Sequence, residues 1–266
     1  YSFTVVWVGA VPIARTGACA LSFFRSTSTA LWVALSLETK TLTHLLWAHL
    51  IRNHFVCLLN SAPFFFLCCM DDLFLQHDLT AIESNVWELL QESVSSFKAP
   101  FHTGVVATMD QQQPQVRTVV LRHADATQKK LFFHTDIRSP KVKQLQMQPQ
   151  MSWLFYDKDI RMQLRLTATA IIHIDDEVAN KAWEESRLSN RLTYTTSSAA
   201  GTILSTPELI DLNQKEVEPE LIDIAWKNFC VVETAIQQMD WAFLHHSGNR
   251  RASFHYNTNQ FQWIQV

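Results

Sequence analysis

The most informative part of the sequence runs from Arg117 to Lys141. It reads RTVVLR at residues 117–122, LFFHT at 131–135 and SPK at 139–141. These segments predict a basic strand, a strand that ends on a hydroxyl, and a helix that starts with Ser139 as its cap and proline at its first position. Because a helix N-terminus offers free amides and a positive dipole end, it suits a phosphate group. Arg117 can add a bidentate contact and Lys141 a point charge, so this stretch predicts a site for an elongated phosphorylated ligand.

Upstream of this stretch the sequence predicts a helix and a hairpin. The helix is expected from about 80 to 97, ended by Pro100, with Thr80 and Glu83 as a capping box. Its apolar residues recur at helical spacing: Ile82, Val86, Leu89, Leu90, Val94 and Phe97. The hairpin pairs 103–109 with 115–123 across a polar turn.

Downstream, most of the chain predicts short strands. They are expected at 130–135, 151–156, 160–174, 229–237, 240–245, 250–256 and 260–266. The 160–174 strand alternates cleanly, with Leu164 and Leu166 on one face and Gln163 and Arg165 on the other. Further helices are expected after Ser139, across 175–187, and from Thr206-Pro207. Many short strands with few helices predict a mainly β (α+β) fold built on an antiparallel barrel.

Composition separates the first 69 residues from the remainder. The chain has 22 basic and 25 acidic residues; residues 1–69 hold four and one of these, which leaves 18 and 24 and a net charge of −6 for residues 70–266. A domain this acidic argues against a nucleic-acid partner. Cys68 and Cys69 are adjacent and Cys230 is isolated, so we predict reduced thiols in a cytoplasmic protein and no metal site.

Three explanations fit residues 1–69: a targeting peptide, a membrane anchor, or translated upstream sequence that is not native protein. The segment is poor in acidic residues, and its candidate anchor, 55–69, is too short to span a bilayer. Met70 is the first methionine and opens sequence of ordinary globular composition. We therefore expect residues 1–69 to be non-native or disordered and residues 70–266 to form one domain, without a membrane partner.

The stretch from Arg117 to Lys141 resembles the flavin-binding core of the pyridoxamine 5′-phosphate oxidases. That family places Arg-x-x-Leu-Leu-Lys before an aromatic-Thr strand end and a Ser-Arg-Lys helix start, in the same order and spacing. Gln163, Trp241 and Arg251 resemble later residues that the family places near the flavin. The resemblance covers roughly residues 97–266. It implies an antiparallel split β-barrel with flanking helices, FMN as the cofactor, and a homodimer with FMN at the interface.

The resemblance also implies roles for individual residues. The phosphate and ribityl chain would contact Arg117, Thr135, Ser139 and Lys141. The flavin ring would contact the backbone of Val119 and Val120, together with Gln163, Trp241 and Arg251. Arg250 is the alternative to Arg251. Gln163 and Arg251 would come from the partner subunit.

The departures from the family pattern concern the substrate. Pro140 replaces a basic residue, Arg122 stands where the family has a substrate-facing lysine, and Arg187-Leu188-Ser189 stands in place of Arg-Pro-x-x-Ser. Arg122 and Arg187 are the candidate substrate-binding residues, and no catalytic side chain is expected because the flavin itself takes the hydride. Two functions follow: an FMN-dependent oxidoreductase acting on a small molecule, or a split-barrel module that binds flavin or haem without turnover.

Overall fold

The computed structural model describes residues 77–214 and 217–266. The predictions for residues 1–69, and the predicted boundary at Met70, lie outside the described residues. The described part contains five helices and nine strands. The helices are α1 (Leu79–Ser95), α2 (Pro140–Met147), α3 (Glu177–Glu185), α4 (Leu188–Leu192) and α5 (Pro219–Asn228). The strands are β1 (Thr103–Asp110), β2 (Gln113–Val120), β3 (His123–Asp125), β4 (Lys130–Asp136), β5 (Gln150–Asp157), β6 (Met162–His173), β7 (Phe229–Phe243), β8 (Arg250–His255) and β9 (Gln260–Trp263).

All nine strands of the described part join one antiparallel sheet. Its main path is β2-β1-β5-β6-β7-β4-β3, with β8 and β9 branching from β7. The two edges of this path meet at Leu121 and Arg122. The amide of Leu121 donates to the carbonyl of His102 on one side (2.8 Å), and that of Arg122 donates to Phe132 on the other (2.9 Å). The chain thus crosses from one edge to the other within two residues, and the sheet rolls into an antiparallel split barrel, as predicted.

Strand β7 is where the barrel divides. Its first half pairs with β4 through Ala235, and its second half pairs with β8 from Gln238 onward. Strand β6 pairs with both halves, and the register shifts at Gln237, which has no partner in β6. A bulge of this kind adds one residue and bends the strand. The sequence prediction of two strands, 229–237 and 240–245, is therefore wrong, because one bent strand spans both.

Alternating side chains fill the barrel. On β6, Leu164, Leu166 and Ala168 are buried, whereas Arg165 and Thr167 are exposed, which confirms the predicted faces. Cross-strand partners continue this core, which includes stacked Trp153 and Phe155 rings with centroids 5.3 Å apart. Helix α1 covers the barrel with Ile82, Val86 and Leu90, as its spacing predicted, but Phe97 lies beyond the helix and is 79% exposed.

The start of α1 corrects the predicted capping box. Asp78 is the N-cap, and its carboxylate accepts hydrogen bonds from the amides of Thr80 (2.9 Å) and Ala81 (3.2 Å). Glu83 is buried and faces the barrel instead of the helix end. There it pairs with Lys129 (2.7 Å) and accepts a hydrogen bond from the Tyr256 hydroxyl (3.0 Å). These tertiary contacts draw Glu83 away from the cap.

The remaining helices were predicted in part. Helix α2 begins after Ser139 with Pro140 at its start, and α3 lies within the predicted 175–187 segment. The helix predicted from Thr206-Pro207 is wrong: residues 202–210 contain no helix or strand. The sequence missed α4 and also α5, whose Trp226 packs with Trp183 and Phe229. No helix within the described residues combines the length and apolar character that crossing a bilayer requires.

Candidate functional site

Two strands and one helix bring the predicted phosphate ligands together. Arg117 lies on β2 opposite Val106, a core residue of β1, and therefore projects from the same face of the hairpin. Thr135 is the last residue but one of β4 and lies on its buried face, and Ser139 precedes α2. Lys141 lies in the first turn of α2, and its Nζ lies 2.9 Å from the Thr135 hydroxyl and 3.3 Å from that of Ser139.

The Arg117 side chain is held by two residues that the sequence analysis did not identify. Its guanidinium donates hydrogen bonds to the Thr108 hydroxyl and to Gln144 Oε1, the latter at 3.1 Å. Thr108 is on β1, two residues beyond Val106 and on the same face, whereas Gln144 is on α2. The position of Gln144, one turn after Lys141, was a usable signal, since residues three apart share a helix face. We call Arg117, Lys141, Thr135, Ser139, Thr108 and Gln144 the cation cluster.

The two cations of this cluster lack a counter-charge. Neither Arg117 nor Lys141 forms an ion pair with a carboxylate within residues 77–214 and 217–266. Asp136 is close enough to act on Lys141 electrostatically, but its carboxylate is bound by Arg138 at 2.6 Å. The partners of the two cations are instead neutral oxygens, among which Thr135 and Ser139 are buried.

Burial and mutual repulsion both act on these cations. Burial, and then the nearby positive charge of Arg117, lowers the pKa of Lys141 below its ordinary value. Burial likewise lowers the pKa of Arg117. The two positive charges are partly removed from water, and their hydrogen-bond partners are neutral. Such a pair of cations forms a favourable environment for an anion. The Ser139 hydroxyl makes no capping hydrogen bond and points into the cluster, where it accepts from Lys141 (3.3 Å) and lies 3.5 Å from the Thr135 hydroxyl.

The edge strand β2 leaves backbone groups unpaired beside this cluster. Within the described sheet, β2 pairs only with β1. Peptide groups along an antiparallel strand point alternately to either side. The amide of Leu121 points toward β1 and that of Arg122 points toward β4. By the same alternation Val119 faces β1 and Val120 faces the open edge, which favours Val120 over Val119 as the backbone contact.

Gln163 and Arg251 lie elsewhere in the same protomer. Both align with Ala242 of β7, from β6 and β8 respectively, and so share one face of the sheet. Arg251 binds Asp240 with two hydrogen bonds, 3.0 Å from Nε and 2.8 Å from an Nη atom. Arg165 pairs with the same carboxylate. This face is the outer surface of the barrel, so the structure does not bring Gln163 and Arg251 into the cation cluster.

Trp241 and Arg250 occupy the opposite, inward face. Trp241 is fully buried in the core, and its indole Nε1 lies 3.0 Å from the sulfur of Met162. Such a position fits a packing residue. Arg250 is half-buried, and one of its terminal nitrogens is buried without a hydrogen-bond partner in the described residues.

The two candidate substrate residues, Arg122 and Arg187, have different surroundings. Arg122 is half-buried beside His134: burial, and then the charge of Arg122, lowers the His134 pKa to about 4. Burial raises the pKa of Tyr194 to about 12, and Arg122 acts against that rise. His134 and Tyr194 are therefore neutral near pH 7. Arg187, by contrast, is exposed before α4 and makes no side-chain hydrogen bond or ion pair within the described residues. No group of three or more His, Cys, Asp or Glu side chains in that part of the chain is arranged to hold a metal ion.

A comparison with known families covers the part of the chain that contains this cluster. Residues 84–174 match the family described as "Pyridoxamine 5′-phosphate oxidase, FMN-binding domain", and this range contains the whole cation cluster. These residues form an FMN-binding domain of the pyridoxamine 5′-phosphate oxidase-like family. The cluster fits the cofactor, because FMN carries one phosphate and the two cations have no other counter-charge in the described residues.

One solved structure supports the fold of this FMN-binding domain, and a second is similar at a lower score. A pyridoxamine 5′-phosphate oxidase-related, FMN-binding protein from Nostoc punctiforme is similar with a TM-score of 0.54 and 20% identity, over 69% of this chain and 96% of its own. PhzG from Burkholderia lata, solved with tetrahydrophenazine-1-carboxylic acid, has a TM-score of 0.47 and 15% identity, over 62% of this chain and 81% of its own. At these identities the first likeness shows the split-barrel fold. No curated protein sequence matches the chain.

Proposed function

We propose that the cation cluster holds the phosphate of FMN, with Arg117 and Lys141 as its charged ligands and Thr135 and Ser139 as hydroxyl donors. The observation that carries the proposal is the pair of desolvated cations with no ion-pair partner in the described residues. A dianionic phosphate offsets both charges and accepts the hydrogen bonds that their N–H groups can still donate. The free β2 edge at Val120 supports an adjacent position for the flavin ring.

The site is proposed to be completed by a second copy of the chain. The outer face of the barrel carries a groove of about 410 Å³ lined by Val105, Val116, Leu154, Arg165 and Asp240, among others. Val116 is 67% exposed, and Leu154 and Tyr156 are also exposed. An exposed apolar face on a sheet is typical of a contact between subunits. In a homodimer formed through this face, Gln163 and Arg251 belong to the interface and would reach the partner's flavin.

We further propose that the domain is an FMN-dependent oxidoreductase acting on a small anionic substrate. When bound, FMN supplies the hydride-accepting ring. The protein orients the substrate, and Arg122, flanked by the neutral His134 and Tyr194, is the cation proposed to bind it. Arg187 remains a second candidate for this role. A cytoplasmic location is part of the proposal and is supported by Cys230, which is a free, buried thiol.

A non-catalytic flavin-binding module is the alternative, favoured by the exposure of Arg187 and its lack of polar contacts in the described residues. The two functions differ in what happens to the flavin. The FMN-loaded protein is mixed anaerobically with pyridoxamine 5′-phosphate and with simple amines and alcohols, and the flavin absorbance is followed. Bleaching that reverses in air supports an oxidase, whereas a flavin that photoreduction bleaches but none of these compounds reduces supports the module.

The phosphate assignment is tested with two flavins. A charge-assisted hydrogen bond contributes about 1.5–3 kcal/mol, so Arg117→Ala should weaken FMN binding by roughly one to two powers of ten. Riboflavin lacks the phosphate and should bind parent and variant equally. Fluorescence titration measures all four dissociation constants, with Lys143→Ala as the control because Lys143 is an exposed cation on the same helix. An equal loss for both flavins would show that Arg117 does not bind the phosphate.

The dimer is tested by charging its proposed interface. Leu154→Arg should turn a dimeric parent into monomers and weaken FMN binding, because the partner contacts are lost. Ile203→Arg is the control, since Ile203 is an apolar residue that is 97% exposed and outside the groove. Light scattering at micromolar concentration gives the mass. A monomeric parent that binds FMN tightly would remove Gln163 and Arg251 from the proposed site.

A further inference from the structure

We propose that Gln144 is a positioning residue that holds the Arg117 guanidinium in place for the phosphate, an inference that rests on the proposed function of the cation cluster. Gln144 lies on α2 with its side chain buried, at 7% exposure. Its Oε1 accepts hydrogen bonds from an Nη of Arg117 (3.1 Å) and from the Thr108 hydroxyl (2.6 Å). One amide oxygen therefore fixes the arginine and ties it to β1.

The neutrality of the Gln144 side chain matters as much as its length. A neutral amide can hold a guanidinium without cancelling its positive charge. The other end of the same amide, Nε2, lies 3.4 Å from Asp110 Oδ2. Gln144 thus lies between the Asp110 carboxylate and Arg117. Its amide oxygen accepts from the arginine, and its amide nitrogen donates to the carboxylate. Because each end faces a group of matching polarity, the hydrogen-bond network also defines which end is oxygen.

Helix α2 then sets the spacing of both cations. Lys141 is in its first turn, and Gln144 follows one turn later, so the same rigid element carries one cation and holds the other. This matters because Arg117 and Lys141 repel each other, as the lowered pKa of Lys141 reflects. Without the Gln144 contact, Arg117 could turn away toward solvent, and the ligand would have to reorder it on binding. Preorganisation of this kind raises affinity by removing that ordering cost.

The test is a thermodynamic cycle between Gln144 and Arg117. Gln144→Met keeps the length and helical character of the side chain but removes both polar ends. We expect it to weaken FMN binding by about tenfold, the effect of one lost hydrogen bond to a charged group, and to leave riboflavin binding unchanged. In an Arg117→Ala background the same change should cost nothing further. Gln146→Met, at an exposed position of α2, is the matched control.

Each outcome separates the inference from the function on which it rests. If Arg117→Ala weakens FMN selectively but Gln144→Met acts additively with it, or weakens riboflavin equally, Gln144 is a structural residue and the inference is wrong. If Arg117→Ala itself affects both flavins equally, the phosphate assignment fails first. Gln144→Asn repeats the cycle with a polar side chain that is one methylene too short to reach Arg117. Its FMN-selective loss, seen with an unchanged melting temperature, supports the inference even where the methionine variant folds poorly.

Discussion

Two of the partly buried charge groups in this domain differ in how they are neutralised. The first, which we call the Glu83 cluster, contains Glu83, Trp87, Lys129 and Tyr256. Lys129 pairs with Glu83 at 2.7 Å and lies over the rings of Trp87 (5.0 Å) and Tyr256 (5.4 Å). The Tyr256 hydroxyl donates to Glu83 and accepts from the Trp87 indole at 2.9 Å. Every charge in the Glu83 cluster is thus satisfied within the described chain.

The cation cluster has the opposite arrangement. Arg117 and Lys141 are bound only by neutral oxygens of Thr108, Gln144, Thr135 and Ser139 within the described residues. A closed network such as the Glu83 cluster joins α1 to the barrel and stabilises the fold. A cluster with unbalanced charge costs stability until an anion arrives. The comparison favours the cation cluster over the Glu83 cluster as an anion site, because only the cation cluster keeps residual charge within the described residues.

The largest change in stability is expected when the Glu83 cluster is broken. Glu83→Gln removes the counter-charge of Lys129, so we expect the free energy of unfolding to fall by about 2 kcal/mol, less than for a fully buried pair because Lys129 is partly exposed. Affinity for FMN should not change. Urea denaturation measures the loss, with Glu88→Gln as a control at an exposed position of the same helix. A parent-like stability for Glu83→Gln would mean that the Glu83 cluster does not hold α1.

A substitution in the cation cluster is expected to change stability less, and in the opposite direction. Lys141→Met removes a desolvated charge that burial and Arg117 both disfavour. The FMN-free protein should be unchanged or more stable by up to about 1 kcal/mol, while FMN binding weakens. Lys143→Met, at an exposed site on α2, should do neither. Destabilisation of the FMN-free protein by Lys141→Met would show that Lys141 has a structural role.

The smallest expected change is a dependence on pH. Because the pKa of Lys141 is lower in the folded than in the unfolded protein, the unfolded chain binds more protons between the lowered pKa and the ordinary value of 10.5. The stability of the FMN-free parent, relative to Lys141→Met, should therefore rise with pH through that window and level off above it. Urea unfolding of both proteins across this range measures the difference. A difference that falls with rising pH would contradict the desolvation of Lys141.

Local signals in the sequence predicted much of the fold, and tertiary contacts explain the exceptions. The alternation of β6 and the Ser139-Pro140 start of α2 are local features, and both were predicted. Thr80 and Asp78 are both good caps, and the choice depends on Glu83, whose partner Tyr256 is distant in sequence. Similarly, Thr206 before Pro207 is a better helix cap than Glu218 before Pro219. Only the second begins a helix, because Trp226 of α5 packs against other aromatic rings.

The residues of the candidate site that belong to a sequence motif were predictable. Arg117, Thr135, Ser139 and Lys141 lie together as expected, although their binding of FMN stays a prediction. Thr108 and Gln144 were missed because their role follows from strand pairing and from the packing of α2 on β1. Trp241 lies in the core, and its contact with the flavin also stays a prediction. The role of a single side chain depends on its contacts with residues that are distant in the sequence.

The central position of β7 has a consequence for biosynthesis. Both β4 and β6 pair along their length with β7. In the chain, β7 comes after β6 and after the three helices α3, α4 and α5. During translation, β4 and β6 are therefore made well before the strand that joins them, and each has an open hydrogen-bonding edge until β7 emerges from the ribosome. Open edges of apolar strands are sites of misassociation. The nascent chain is thus most vulnerable to aggregation in the interval between His173 and Phe243, when a chaperone would have the most to protect.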